Sequence, residues 1–283
     1  MNNKPVLLEA YIEGIGLLGP GLESWQASQS ILSGQQVYVP QKTVIPAPEL
    51  LPAAERRRAS DIIKLTLATS QEAITAAKQH TADLPSVFSF SNGDGINCHI
   101  ICETLASSDR QLSPTRFHNS VHNATAGYWS IAMAATATSS VLCAFDASFG
   151  AGLLEALSQV VIDDTRCILM ASDTSYPEPM HSVRPILDNF GIALMLAPQR
   201  SPQSIAHISL SLTQDESDRL ADKELEKLRL AVPAARGLSL LQVIATQQTA
   251  KRESAGSAEA SGVTRLVLDY LDDTRLALEI RPC

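Results

Sequence analysis

The hydrophobic pattern predicts alternating buried strands and helices over the first three quarters of the chain. Short apolar runs bounded by turn residues are typical of buried strands, and helical runs separate them. The predicted strands are residues 6–18, 85–90, 139–145, 167–172, 192–197 and 205–212. This alternation implies parallel strands joined by crossover helices, so the sequence predicts an α/β layered core.

The helical patterns differ in polarity. Residues 119–135 contain almost no charge and are apolar all round, which predicts a helix inside the protein. Residues 55–80 form one long predicted helix with the basic run Arg56, Arg57 and Arg58 at its start. After residue 212 the pattern changes to a charged helix, a second helix, a polar linker at 251–262 and two edge-like strands. The other predicted helices are 22–32, a helix from the turn at 91–95 to about 105, and 147–162, 224–231 and 238–248.

Composition narrows the class of protein. The net charge of −8 argues against nucleic acid or an anionic membrane as the main partner, because both attract basic surfaces. Five scattered cysteines indicate a reduced, cytoplasmic protein rather than a disulfide framework. The first residues lack the apolar core of a signal peptide, and no run reaches the length of a membrane span. We therefore expect a cytoplasmic protein without a membrane span.

Metal and cofactor motifs are weak. Residues 14–19 match G-x-G-x-x-G, but a Pro-Gly pair follows at once and no acid lies about 20 residues on, so a tight turn is the better interpretation. His118 and His122, like Cys98 and Cys102, have one-turn helical spacing without the further ligands of a metal site. We predict no metal and no cofactor.

Residues 140–156, SVLCAFDASFGAGLLEA, predict a strand, a corner and a helix. Asp146 lies at the corner, where many enzymes carry a nucleophile. Aspartate is also a favoured N-cap, so Asp146 is predicted to cap the following helix. Cys143 is predicted to be a buried residue of the preceding strand.

The order of motifs over residues 6–198 resembles the β-ketoacyl synthase branch of the thiolase superfamily. The segments that resemble it are IEGIGLLGPG, SWQASQSILSGQ, RRRASDIIKLTLATSQEAI, FSFSNGDGINCHIICETL and, most specifically, LSPTRFHNSVHNATAGYWSIA. The resemblance implies a thiolase-like layered α-β-α fold. Counted on from Asn123 without a gap, Asp146 falls on the family's nucleophilic cysteine.

Two departures from the family imply that the chain does not condense acyl groups alone. A carboxylate replaces the thiolate, and the second half of a full synthase, with its catalytic histidines, is missing. The chain resembles short chain-length-factor subunits of aryl-polyene-type type II fatty-acid and polyketide systems. That resemblance implies a single domain over 1–283, in which 1–212 is the N-terminal half of a ketosynthase and 213–283 is a short divergent segment.

The same resemblance implies a heterodimer with a catalytic ketosynthase and an indirect relation to an acyl carrier protein. Candidate residues for the acyl tunnel or the subunit interface are Arg116, Phe117, Tyr128, Trp129 and Met133, and plain packing is the alternative for all five. No catalytic residue is predicted, with Cys143 or Asp146 kept for the alternative of a divergent half-size acyl-thioester enzyme. A homodimeric acyl-binding scaffold is a third possibility.

Overall fold

The computed structural model describes residues 8–253 and 262–283. Its eight strands form one sheet in the order β3-β2-β4-β5-β1-β6-β8-β7. The strands are β1 (Leu8–Leu18), β2 (Ser86–Ser89), β3 (Ser139–Leu142), β4 (Cys167–Asp173), β5 (Phe190–Ala197), β6 (Ala206–Thr213), β7 (Thr264–Asp269) and β8 (Arg275–Pro282). The helices are α1 (Trp25–Leu32), α2 (Ala53–Arg58), α3 (Asp61–Ala77), α4 (Gly95–Ala106), α5 (Pro114–His118), α6 (Ala124–Met133), α7 (Ser148–Asp163), α8 (Met180–Val183), α9 (Lys223–Ala231) and α10 (Leu238–Glu253).

The sheet is mixed, whereas the sequence pattern predicted parallel strands. Strands β3, β2 and β4 are parallel, and β5 is antiparallel to both β4 and β1. Parallel neighbours need a crossover that runs back along the sheet, usually a helix. Between β4 and β5 the chain forms only the short α8, so it reverses direction and β5 pairs antiparallel.

Helices cover both faces of the sheet, which confirms the layered α-β-α fold. Alternate residues of β4 divide between two cores: Cys167, Leu169 and Ala171 face α7 and α10, while Ile168 and Met170 face α3 and α6. Every residue of β4 and β5 is buried. Such continuous apolar runs are expected of strands covered on both faces.

The glycines of the G-x-G-x-x-G stretch serve helix packing. A Cβ added to Gly16 would lie 1.8 Å from the Thr69 carbonyl oxygen, and one added to Gly14 would lie 2.1 Å from that of Ala73. Both glycines therefore let α3 pack directly on β1. The predicted tight turn is present only at the end of the motif, where Gly19 pairs with Leu22 and Gly21 has a φ of +65°.

Two predicted helices are wrong in extent. Residues 55–80 form α2 and α3, because Ala59 and Ser60 adopt extended backbone between them. Residues 119–135 contain only α6, and its outer face is open: Ile131 is 50% exposed although Trp129 is fully buried. The prediction of a helix inside the protein is therefore wrong for this chain alone. The exposed residues of α6 are Gly127 and Ile131, so its outer face carries no charge.

The C-terminal segment extends the sheet. Strand β8 pairs with β6 over eight residues, and β7 forms the outer edge, so only one of the two last strands is an edge strand. Of the linker predicted at 251–262, the first three residues end α10, and residues 254–261 lie outside the described residues.

One helical stretch among the described residues, Phe145–Asp163, is long and apolar enough to cross a membrane by length and composition alone. Half of it is buried. Its inner residues, including Phe149, Leu153 and Leu157, belong to the larger hydrophobic core. This partly buried helix, α7, therefore packs as a core helix of the sheet.

Candidate functional site

The strand-to-helix corner lies at Phe145. Strand β3 ends at Leu142, and a 3₁₀ turn, Phe145–Ala147, leads into α7. Phe145 has a φ of 52° and a side chain that is 60% exposed. A positive φ at a bulky residue costs about 1–3 kcal/mol and persists only where the surroundings hold it. The Ser148 hydroxyl provides part of that support, because it accepts a hydrogen bond from the Ala144 amide (3.1 Å) and donates to the Phe145 carbonyl (2.7 Å).

Asp146 binds Arg184 and does not cap α7. Its Oδ1 accepts a hydrogen bond from Arg184 Nη2 at 2.7 Å, and the same guanidinium lies 3.4 Å above the Phe145 ring. The N-cap of α7 is Ala147, with no side-chain hydrogen bond. The predicted cap is wrong because the 3₁₀ turn places Asp146 before the capping position. Arg184 was not found from the sequence, since it lies in a distant loop.

Cys143 is exposed, so its prediction as a buried strand residue is wrong. The edge strand β3 ends one residue before it. Its Sγ donates to the Ser91 carbonyl oxygen at 2.9 Å. A nucleophilic thiol needs a neighbouring base or cation that stabilises the thiolate. The contact with a carbonyl oxygen offers neither.

A buried carboxylate lies behind the corner, at the end of β4. Asp173 Oδ1 accepts hydrogen bonds from the Ser91 amide (2.8 Å) and hydroxyl (2.6 Å), and Oδ2 accepts one from the Ala234 amide (2.8 Å). Burial raises the pKa of Asp173 to about 6, although these hydrogen bonds oppose the shift. The carboxylate thus ties the glycine-rich turn after β2 to the C-terminal segment. An acid at the end of an apolar strand was the sequence signal that we missed.

The histidines make their contacts elsewhere. His99 lies 3.2 Å from Glu103, and His207 lies 3.4 Å from Glu9. The His118 ring packs on Tyr128, and burial lowers the pKa of His122, whose ring packs on Phe90. Among the residues that the structure describes, none of these contacts reaches Cys143 or Asp146. Within the described ranges, no histidine forms a hydrogen bond or ion pair with Cys143 or Asp146.

The five candidate tunnel residues divide into two groups. Trp129 is fully buried, with its ring edge-on to Phe88, and Tyr128 is buried with its hydroxyl 3.2 Å from Asn119 Oδ1. Met133 is half-buried against the same core. Phe117 is 66% exposed and Arg116 is half-buried. Of the five, Arg116 and Phe117 line cavities, while Met133 is partly exposed and Tyr128 and Trp129 are buried.

Phe117 lines an apolar cavity of about 320 Å³ between α3, α4 and the loop before α6. Other lining residues are Cys98, Ile101, Leu105, Val121 and His122. The cavity is large enough for part of a hydrocarbon chain along its apolar wall, and its remaining wall is polar and includes Asn92, Asp94 and Asn119.

The two edges of the sheet differ. The outer edge of β7 is covered, because the Asp218 amide donates to the Val267 carbonyl (2.9 Å) and the Val267 amide donates to Asp218 Oδ2 (2.7 Å). Strand β3 pairs only with β2 among the described parts of the chain. No Asp, Glu, Lys or Arg occurs in residues 117–145, which include α6 and β3. The open edge is therefore charge-free.

Comparison with known proteins agrees with this architecture. A family model described as β-ketoacyl synthase, N-terminal domain, matches residues 24–259. No curated protein sequence matches the chain.

Several solved structures share the fold. A ketosynthase in complex with its chain length factor from Xenorhabdus doucetiae is 20% identical with a TM-score of 0.67, over 95% of this chain and 98% of that one. The ishigamide ketosynthase/chain length factor is 13% identical with a TM-score of 0.69, over 96% and 99%. A ketosynthase from the bacillaene synthase of Bacillus amyloliquefaciens is 8% identical with a TM-score of 0.69, over 98% and 76%. The chain belongs to the β-ketoacyl synthase N-terminal domain family, as its motifs predicted.

Proposed function

We propose that this chain is a non-catalytic, chain-length-factor subunit that pairs with a catalytic β-ketoacyl-carrier-protein synthase. The pair would act in the cytoplasm, in a type II fatty-acid or polyketide system of the aryl-polyene kind. The observation that carries the proposal is the corner between β3 and α7, where Phe145, Asp146 and Arg184 stand in place of an activated nucleophile.

The chemistry of that corner opposes acyl transfer. A carboxylate attacks thioesters poorly, and its charge repels an approaching enolate. Arg184 binds Asp146 in a short ion pair of 2.7 Å, which holds the carboxylate against the guanidinium. The Phe145 ring stacks against the flat face of the same guanidinium. The corner thus serves packing better than catalysis.

The open edge supports a partner of the same fold. The Ser86 amide donates to the Thr138 carbonyl, and the Phe90 amide donates to that of Leu142. In the regular alternation of a parallel ladder, the N–H and C=O of Val141 then point away from β2. An exposed edge of this kind accepts a further strand. The charge-free face of α6 beside it is suited to close contact, and complexes of a ketosynthase with a chain length factor are among the structures similar in fold.

The apolar cavity suggests how this subunit influences chain length. Phe117 stands at its wall and is largely exposed, so a partner subunit can contact it. We assign Phe117 to the end of an acyl tunnel that the two subunits share, with Arg116 beside it at the interface. Tyr128, Trp129 and Met133 belong to the neighbouring core under α6, and the acyl chain itself is delivered to the partner by its carrier protein.

The alternative of a half-size acyl-thioester enzyme is kept because Cys143 is exposed beside the corner. Intact mass separates the two functions after incubation of the reconstituted pair with acyl or malonyl carrier protein. We expect the acyl adduct on the catalytic partner and none on this chain, with a Cys143→Ser variant supporting the same product yield. An acyl adduct on Cys143, or thioester loss with this chain alone, would establish the alternative.

A further inference from the structure

A second cavity, of about 470 Å³, lies at the carboxyl ends of the parallel strands. It is bounded by the start of α3, the start of α4, helix α5 and Thr174, which follows β4. Ligands of α/β sheets bind at this end of the strands. Its buried lining consists of the polar residues Asn97, Asn119 and Thr174 and the apolar Ile62.

Three arginines line this cavity, namely Arg57, Arg58 and Arg116. We call it the arginine cavity. Arg58 pairs with Glu55 at 3.2 Å. The guanidinium groups of Arg57 and Arg116 make no hydrogen bond or ion pair with the part of the chain that the structure describes. Two unpaired cations facing one polar cavity favour an anionic ligand.

The two carboxylates at the cavity lower its positive charge but form no ion pair with Arg57 or Arg116. Asp61 pairs with Lys64 at 3.0 Å. Asp94 Oδ1 accepts from the Asn97 amide at 2.9 Å, and its other oxygen is buried without a hydrogen-bond partner. Asp61 and Asp94 stand at the starts of α3 and α4, where their charges are offset by the positive ends of the two helix dipoles.

We propose that the arginine cavity binds a phosphate group. Guanidinium groups match phosphate oxygens in geometry and charge. Asn97 Nδ2 donates to the Arg116 carbonyl and Asn119 Nδ2 to the Arg58 carbonyl, both at 2.9 Å, so these buried amides fix the backbone of two of the arginines at the cavity. Free phosphate and the phosphopantetheine arm of a carrier protein share this chemistry. The inference goes beyond the partner role, and only the choice of 4′-phosphopantetheine as a probe rests on the proposed function.

The test titrates the full chain with inorganic phosphate, 4′-phosphopantetheine and pantetheine, which lacks the phosphate, and follows the heat of binding. We expect saturable binding of the two phosphate compounds and about tenfold weaker binding in Arg57→Gln and in Arg116→Gln. Arg281→Gln, on β8 at the other end of the sheet, is the matched control and keeps wild-type affinity. Thermal unfolding of each variant verifies its fold.

The outcomes separate the sources of the ligand. At least tenfold tighter binding of 4′-phosphopantetheine than of inorganic phosphate identifies the carrier arm, and equal binding identifies free phosphate. The proposal is overturned if neither phosphate compound binds, if pantetheine binds as tightly as its phosphate, or if Arg281→Gln weakens binding as much as the cavity variants do. Because the titration needs no partner, its failure is distinct from a failure of subunit pairing.

Discussion

At the scale of single residues, side chains from distant parts of the chain determine the corner. Arg184 holds Asp146 and covers Phe145, while Asp173 joins Ser91 to Ala234. Asp146 and Cys143 could be selected as candidate site residues from the sequence, because they stand in a recognisable strand-to-helix pattern. The sequence could not show Arg184 as their neighbour, since that contact depends on the path of the loop between β4 and β5.

Asp173→Asn is expected to destabilise the fold, although the pKa of Asp173 is raised. Both carboxylate oxygens accept from N–H groups, so an asparagine must turn its own NH₂ towards one of these donors. The loss is about 1–3 kcal/mol in the free energy of unfolding by urea. Asp83→Asn, at an exposed acid, is the control. Equal stability of the two variants would contradict the bridging role of Asp173.

The raised pKa of Asp173 predicts a pH dependence of stability. The folded state holds this proton up to about pH 6, whereas an unfolded aspartate loses it near pH 4. The contribution to stability is therefore present below about pH 4 and is lost as the pH rises to about 6. Unfolding free energies measured between about pH 4 and pH 6 should show that Asp173→Asn lacks this pH-dependent contribution to stability. An unchanged pH profile in the variant would refute the assignment.

At the scale of elements, local pattern predicted the buried strands better than the helix boundaries. The predicted bounds of β4 are right to within one residue, because its apolar run is long and sharply bounded. The break between α2 and α3 was missed, since Ala59 and Ser60 carry no strong helix-stopping signal. The direction of β5 was also missed, because periodicity does not report which strands are neighbours.

Gly16→Ala is expected to force α3 away from β1. The new Cβ would overlap backbone, the Thr69 carbonyl, rather than a flexible side chain. The expected cost is about 3 kcal/mol or more, measured as a lower Tm and a lower urea midpoint. Gly127→Ala is the matched control on α6, where a Cβ meets nothing within 4 Å, and it should raise stability by about 0.5–1 kcal/mol. A Tm for Gly16→Ala as high as that of the control would show that this close approach is not needed.

At the scale of the whole molecule, one sheet has a covered edge and an open edge. Residues 215–218 cover β7, while no described residue pairs with the outer side of β3, which follows the charge-free α6. The sequence indicated that residues 119–135 prefer burial but could not say by which molecule. Hydrophobicity alone does not distinguish a core from an interface.

Phe117→Ala is expected to lengthen the acyl products of the reconstituted pair, because it removes a ring from the wall of the apolar cavity. Mass spectrometry of the carrier-bound products measures the change. Leu187→Ala, an exposed apolar residue outside that cavity, is the control and should leave the products unchanged. An identical product distribution for Phe117→Ala would remove this residue from the tunnel.

The most direct test of the central claim is the native mass of this chain after co-expression with candidate ketosynthases. We predict a 1:1 complex for the wild type and for Val141→Thr, which keeps the outward N–H of β3. Val141→Pro lacks that N–H but leaves the pairing with β2 intact, so it should remain folded and fail to assemble. A complex that forms equally well with Val141→Pro, or a wild-type chain that binds no ketosynthase, would contradict the account.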